Sequence, residues 1–173
     1  MSQPRFGQST GSSNTLRDSV SGGRRGGIDP AAIAKAEAAL ANLSSNFAQW
    51  LNDEITKLEG ARATIQAEGS TLENLESLYL RAHDLKGLGT TYGFPLVSRI
   101  AGLLCRLIED KTQRMAAPLA LVDAHILSIK AAVRDGIKSE EHPVGKIVIQ
   151  ELEDQIKALY QPPLSSTAAG PLS

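Results

Sequence analysis

Between residues 28 and about 160, apolar side chains recur every three or four positions in five successive stretches. That spacing marks helices that each bury one stripe. The first stretch opens at Asp29-Pro30, an N-cap residue followed by proline at the first helical position. Its apolar set is Ile33, Ala36, Leu40, Leu43, Phe47, Trp50, Leu51, Ile55, Leu58 and Ile65, with Gly69 as the stop. The set is long for one helix, so a break is expected near Asn42–Ser45. A second helix starts at Ser70 or Thr71, with Glu73 and Glu76 near its positive end, and runs to about Tyr92, where Gly93 ends it. Pro95 opens a third helix with Leu96, Ile100, Leu103, Leu104, Leu107 and Ile108. Pro118 opens a fourth, with Leu121, Val122, Ile126, Ile129 and Val133, ending near Gly136. The fifth follows Pro143 and holds Ile147, Leu152, Ile156 and Leu159. Short links between long amphipathic helices predict an all-α, up-and-down antiparallel four-helix bundle with an additional helix.

Composition narrows the class without changing that picture. Leu and Ala supply most of the apolar content, aromatics are only 4%, and no internal repeat is visible. Residues 1–27, rich in Ser, Gly and scattered Arg, have too little apolar surface to offset the entropy of ordering, so a disordered tail is expected there. Residues 161–173 read as a second flexible tail, leaving 28–160 for the bundle. A formal charge of −1 offers no global field to gather nucleic acid or an anionic membrane. The single cysteine, Cys105, excludes an intramolecular disulfide. No apolar run reaches transmembrane length, and the start MSQPRFGQST has no apolar signal core, so a soluble, cytoplasmic protein is expected.

Chemistry concentrates on the second helix. At about 100° per residue its stripe is Leu75, Leu78, Ala82, Leu85, Leu88, Gly89 and Tyr92, and His83 points roughly 130° from the middle of it. His83 is thus expected on the outer surface, with Tyr79, Leu80, Lys86 and Gly87 one turn away and Glu76 and Thr90 a turn further. An imidazole in solvent is largely neutral at physiological pH and free to attack phosphorus. Lys86 can set its ammonium against a phosphoryl oxygen. Gly87 removes the side chain that would crowd the approach, at about 1 kcal/mol of helix stability relative to alanine, and Gly89 adds a similar cost. A lone surface histidine carries no function by itself, and lysine is commonplace on helices. Two glycines within one helix call for a packing or docking reason.

The run Arg81-Ala82-His83-Asp84-Leu85-Lys86-Gly87-Leu88-Gly89-Thr90-Thr91-Tyr92-Gly93-Phe94 resembles the signature of the histidine phosphotransfer (HPt) domain: His, any two residues, Lys, Gly, and a further Gly ten residues after the His. It is most similar to the phosphotransfer domain of chemotaxis-type histidine kinases, where a Thr-aromatic-Gly-Phe segment closes the helix. The resemblance implies that His83 is phosphorylated, that Lys86 stabilises the phosphoryl group, and that Gly87 gives clearance. A partner surface is expected at Glu76, Tyr79, Leu80 and Thr90, with Tyr79 equally readable as the edge of the core. The implied partners are a sensor or hybrid histidine kinase and a response-regulator receiver domain, with the chain itself a monomer. No cofactor is implied for this chain; Mg²⁺ would sit on the receiver. One departure stands out. Many chemotaxis relatives orient the imidazole with a glutamate on the next helix; here residues 93–108 contain no carboxylate, and Glu109 is expected to lie too far along.

No Walker-type phosphate loop or glycine-rich nucleotide lid is present, so a phosphocarrier is expected rather than an enzyme with its own turnover. Two other classes compete: a bundle that binds a receiver or kinase without accepting phosphate, and a metal-dependent hydrolase. Paired Glu-x-x-His motifs, which the hydrolase would need, are absent. His125 and His142 are expected at the surface or at helix ends, with no metal site. Cys105, among Leu103, Leu104 and Leu107, reads as a buried apolar side chain, and Asp84 as a solvated charge.

Overall fold

The computed structural model describes Gly27 and residues 29–161. The tails assigned to 1–27 and 161–173 therefore lie, apart from Gly27 and Gln161, outside the described residues. Within them the chain is all-helical: α1 (Pro30–Glu68), α2 (Leu72–Thr91), α3 (Pro95–Leu107), α4 (Lys111–Ala116), α5 (Leu119–Arg134) and α6 (Pro143–Tyr160). Gly69, Gly93 and Gly136, the three glycines expected to stop helices, have φ of +98°, +83° and +66°, a region costly to any residue with a Cβ.

Two features depart from the pattern reading. The helix from Pro30 to Glu68 is continuous, with no interruption at Asn42–Ser45. Asn and Ser are only weakly unfavourable inside a helix, and the apolar period carries through them. A sixth helix, α4, sits between α3 and α5. It buries no residue, so it has no stripe to betray it. What starts it is a capping box: the Asp110 carboxylate accepts from the Gln113 backbone N–H at 2.8 Å, and the Gln113 side chain accepts from the Asp110 N–H.

The described chain falls into two units that divide after Ala41. In the first, every α1 residue from Pro30 to Ala41 is exposed, Ile33 and Leu40 included. The second holds the core. There α3 is the central element, with Leu96, Val97, Ile100, Ala101, Leu103, Leu104, Cys105 and Leu107 all buried. It touches α2, α5 and α6, and an apolar surface on nearly all sides is what such a position demands. Each buried leucine or isoleucine contributes about 1.5–3 kcal/mol. From α1 come Leu51, Ile55, Leu58 and Ile65, and a two-pronged ion pair from Arg62 to Asp123 (2.7 and 2.9 Å) ties α1 to α5. On α6, Leu152 and Ile156 are buried, whereas Ile147 and Leu159, expected on the stripe, are exposed. Gly145 explains part of this. Its missing Cβ lets α6 approach the Ser139 carbonyl and Leu96, which sets the buried face one residue away from Val144.

Candidate functional site

Helix α2 is fixed at both ends before its surface is considered. Thr71 caps the start, its hydroxyl accepting from the Asn74 N–H at 3.1 Å. At the other end Phe94 N–H donates to the Gly89 carbonyl (2.8 Å) and Gly93 N–H to that of Thr90 (3.1 Å). Those two bonds form a Schellman closure around the left-handed Gly93. Phe94 is buried behind it, and the Tyr92 ring packs into an aromatic cluster with Phe47 and Trp50 at centroid distances of 5.6 and 5.9 Å. The face that enters the core is Leu75, Leu78, Ala82, Leu85 and Gly89. His83 stands on the opposite side, exposed, in the middle of the helix.

The two costly glycines separate cleanly. A Cβ on Gly89 would lie 2.7 Å from both the backbone N and the Oγ of Ser98, and 3.1 Å from the Phe94 carbonyl. Gly89 is therefore a point of close backbone approach between α2 and the start of α3. The Ser98 hydroxyl oxygen accepts there from the Thr90 backbone N–H (2.7 Å) and from the Thr90 hydroxyl (3.0 Å). Among the described residues a Cβ on Gly87 would meet nothing within 4 Å. Internal packing gives no reason for glycine at 87.

The structure gathers a distinct set of side chains around His83. The Tyr79 ring, one turn earlier on α2, lies against the imidazole with centroids 6.1 Å apart and planes tilted by 36°. Over the Tyr79 ring sits the Arg114 guanidinium of α4, 4.4 Å from its centroid. Lys86 is exposed, but its stem crosses α3 with Cγ, Cδ and Cε 3.8–3.9 Å from where a Gly102 side chain would begin. The ammonium's charge is felt by Cys105, one turn further along α3. Bringing it onto a group carried by His83 takes rotation about the flexible stem. Glu76 and Leu80 are exposed, Leu80 at 54%; Tyr79 is half-buried, and Thr90 is exposed yet spends its hydroxyl on Ser98. Asp84 faces Arg81 at 3.5 Å, both about half exposed, as a solvated charge should.

Sequence reasoning missed Arg114 in this assembly. No periodicity points to it, because it reaches Tyr79 through the fold; the one local signal was the Asp110-x-x-Gln113 box that starts its helix. His125 also needs correcting. It is fully buried on α5, not at the surface, with Nδ1 2.7 Å from the Leu121 carbonyl and Nε2 without a partner among the described residues. It falls on the stripe between Val122 and Ile129, and its polarity masked that register. Burial pushes its pKa below the ordinary value, with the Leu121 contact pulling the other way. His142 is at a helix end as expected, capping α6 by accepting from Val144 N–H at 3.2 Å. Burial pushes the Cys105 thiol up to about 11 against the opposing pull of Lys86, so it stays protonated.

Among the described residues no three His, Cys, Asp or Glu side chains converge as metal ligands, and no helix is long and apolar enough to cross a membrane. No protein-family model, curated protein or solved structure matches the chain.

Proposed function

We propose that this chain is a cytoplasmic histidine phosphotransfer protein, an up-and-down HPt-like bundle in which His83 carries a phosphoryl group between a sensor histidine kinase and a receiver domain. The observation that carries the reading is the pairing of an exposed imidazole with an unoccupied glycine position one turn away. A helix accepts the cost of a surface glycine where something outside must come close, and Gly87 lies one turn from His83 on the same face.

Transfer from a receiver begins with the lone pair of a ring nitrogen attacking phosphorus of an aspartyl phosphate. A nitrogen–phosphorus bond forms, the phosphorus–oxygen bond to the aspartate breaks, and the carboxylate leaves with the electron pair. The proton on the other ring nitrogen is then free to go to solvent. Chemistry of this kind is positioning and charge compensation. On this chain His83 is presented from the middle of α2, and the compensation falls to Lys86 one turn on, whose stem lies over Gly102. The receiver would dock across Glu76, Leu80 and Thr90 and bring the Mg²⁺.

The test is transfer from a purified phosphorylated receiver. The expected product is an acid-labile, base-stable phosphate on the parent and none on the His83→Gln variant. Equal labelling of the two would refute the assignment. Receiver binding without label would favour the interaction-module reading.

A further inference from the structure

Helix α3, which borders the reacting face, carries no carboxylate. No carboxylate of that helix is available to hold the His83 ring, whereas the Tyr79 ring lies beside it. We propose that Tyr79, braced by Arg114, is the positioning residue for the His83 imidazole; this rests on His83 being the phosphoryl acceptor.

The case starts from freedom. An exposed side chain at mid-helix has two χ1 wells open to it and a broad χ2, and only part of that range aims a ring nitrogen at an incoming phosphorus atom. Holding the ring in the productive part is worth rate in any transfer governed by orientation. Tyr79 is placed to do this. It sits four residues before His83 on the same face, and side chains on a helix lean toward its N-terminus, so the imidazole comes to rest on the phenol ring. The separation of 6.1 Å and tilt of 36° lie within the range of attractive aromatic pairs.

A brace is useful only if it is itself held. Tyr79 is half-buried at the core edge and capped by the Arg114 guanidinium at 4.4 Å, a cation–π distance. That guanidinium is fixed in turn. Its Nε donates to the Ile108 carbonyl (2.8 Å) and an Nη to that of Glu109 (3.1 Å), both just past the end of α3. Its backbone N–H donates to Asp110, the residue whose capping box starts α4. The line from the α3 terminus through Arg114 and Tyr79 to His83 is thus continuous, and every link but the last is an anchor. If Arg114 served only to satisfy the α3 carbonyls and Tyr79 only to fill the core edge, nothing in their loss would alter the imidazole.

Two readouts separate these roles. Three-bond couplings across the His83 Cα–Cβ bond report its χ1 populations in the unphosphorylated protein. The rate of His83 phosphorylation by phosphoramidate, a small donor that docks on no surface, reports reactivity. Tyr79→Leu keeps apolar volume at the core edge but offers no ring, and Tyr79→Phe keeps the ring. Expected are one dominant rotamer in the parent and in Tyr79→Phe, averaged couplings in Tyr79→Leu, and labelling slowed roughly two- to tenfold in Tyr79→Leu alone of the pair. Arg114→Gln should slow labelling by less in the parent background and not at all in the Tyr79→Leu background, because it acts through the ring. Unchanged couplings and rate in Tyr79→Leu would overturn the proposal, as would an Arg114→Gln effect that survives without the ring. A parent that takes no label while its couplings still depend on Tyr79 would show that Tyr79 fixes the ring and that the phosphocarrier reading, not the contact, has failed.

Discussion

Two positions apart on α2, Gly87 and Gly89 are asked for by different things, and substitution tells them apart. Gly87→Ala places a methyl group in open space, so urea unfolding should show about 1 kcal/mol of added stability from helix propensity. Transfer from a receiver protein should fall in the same variant, while labelling by phosphoramidate stays within about twofold, since only the docked partner needs the clearance. Gly89→Ala drives its Cβ into the backbone of Ser98 and should destabilise the fold by on the order of 1–3 kcal/mol. A Gly87→Ala protein that is more stable and transfers at the parent rate from the receiver would leave Gly87 unexplained. Lys86 belongs at this scale too. Lys86→Gln should slow labelling by roughly three- to tenfold, the worth of one charge-assisted contact in water, with thermal stability little changed because the side chain is exposed.

Among the elements, what could be foreseen followed from pattern and punctuation. The buried face of α2 and the exposure of His83 were legible because the period of that helix is unbroken from Leu75 to Gly89. The ends of α1, α2 and α5 were legible because each requires a left-handed residue and has glycine there. Helix α4 was not, since six residues with no buried side chain leave no stripe. Neither was the Arg114–Tyr79 contact, which joins residues 35 apart and depends on where the α3 terminus falls. Ile147 and Leu159 misled because pattern alone does not say which of two adjacent apolar columns a neighbour will cover. The closure of α2 yields its own expectation. Gly93→Ala, forced to φ near +83°, should lower stability by about 1–2 kcal/mol in urea unfolding, and the His83 labelling rate in the folded fraction should be unaltered.

For the whole molecule, the buried His125 sets a dependence on pH that is separate from the surface chemistry. Burial lowers its folded-state pKa below the ordinary 6.5, while the unfolded chain titrates near that ordinary value. Above it both states are neutral and stability is complete. As pH falls through it, only the unfolded chain gains the proton, and stability should drop by up to about 1.4 kcal/mol per pH unit until the folded-state pKa is reached. Thermal melts between pH 8 and 5 should show this loss, and His125→Leu, which also removes the unpaired Nε2, should flatten it. Carboxylates that are paired in the fold add their own acid sensitivity at lower pH, so the window just below neutrality is the informative one.

Which atom takes the phosphoryl group decides whether this chain is a histidine phosphocarrier. Treating the folded chain with phosphoramidate, digesting it under alkaline conditions and sequencing the peptides by tandem mass spectrometry answers that directly. The phosphoryl group is expected on His83, between Arg81 and Lys86, with His142 and the buried His125 unlabelled. Label on any other side chain with His83 bare, or equal label on His83 and His142, would contradict it.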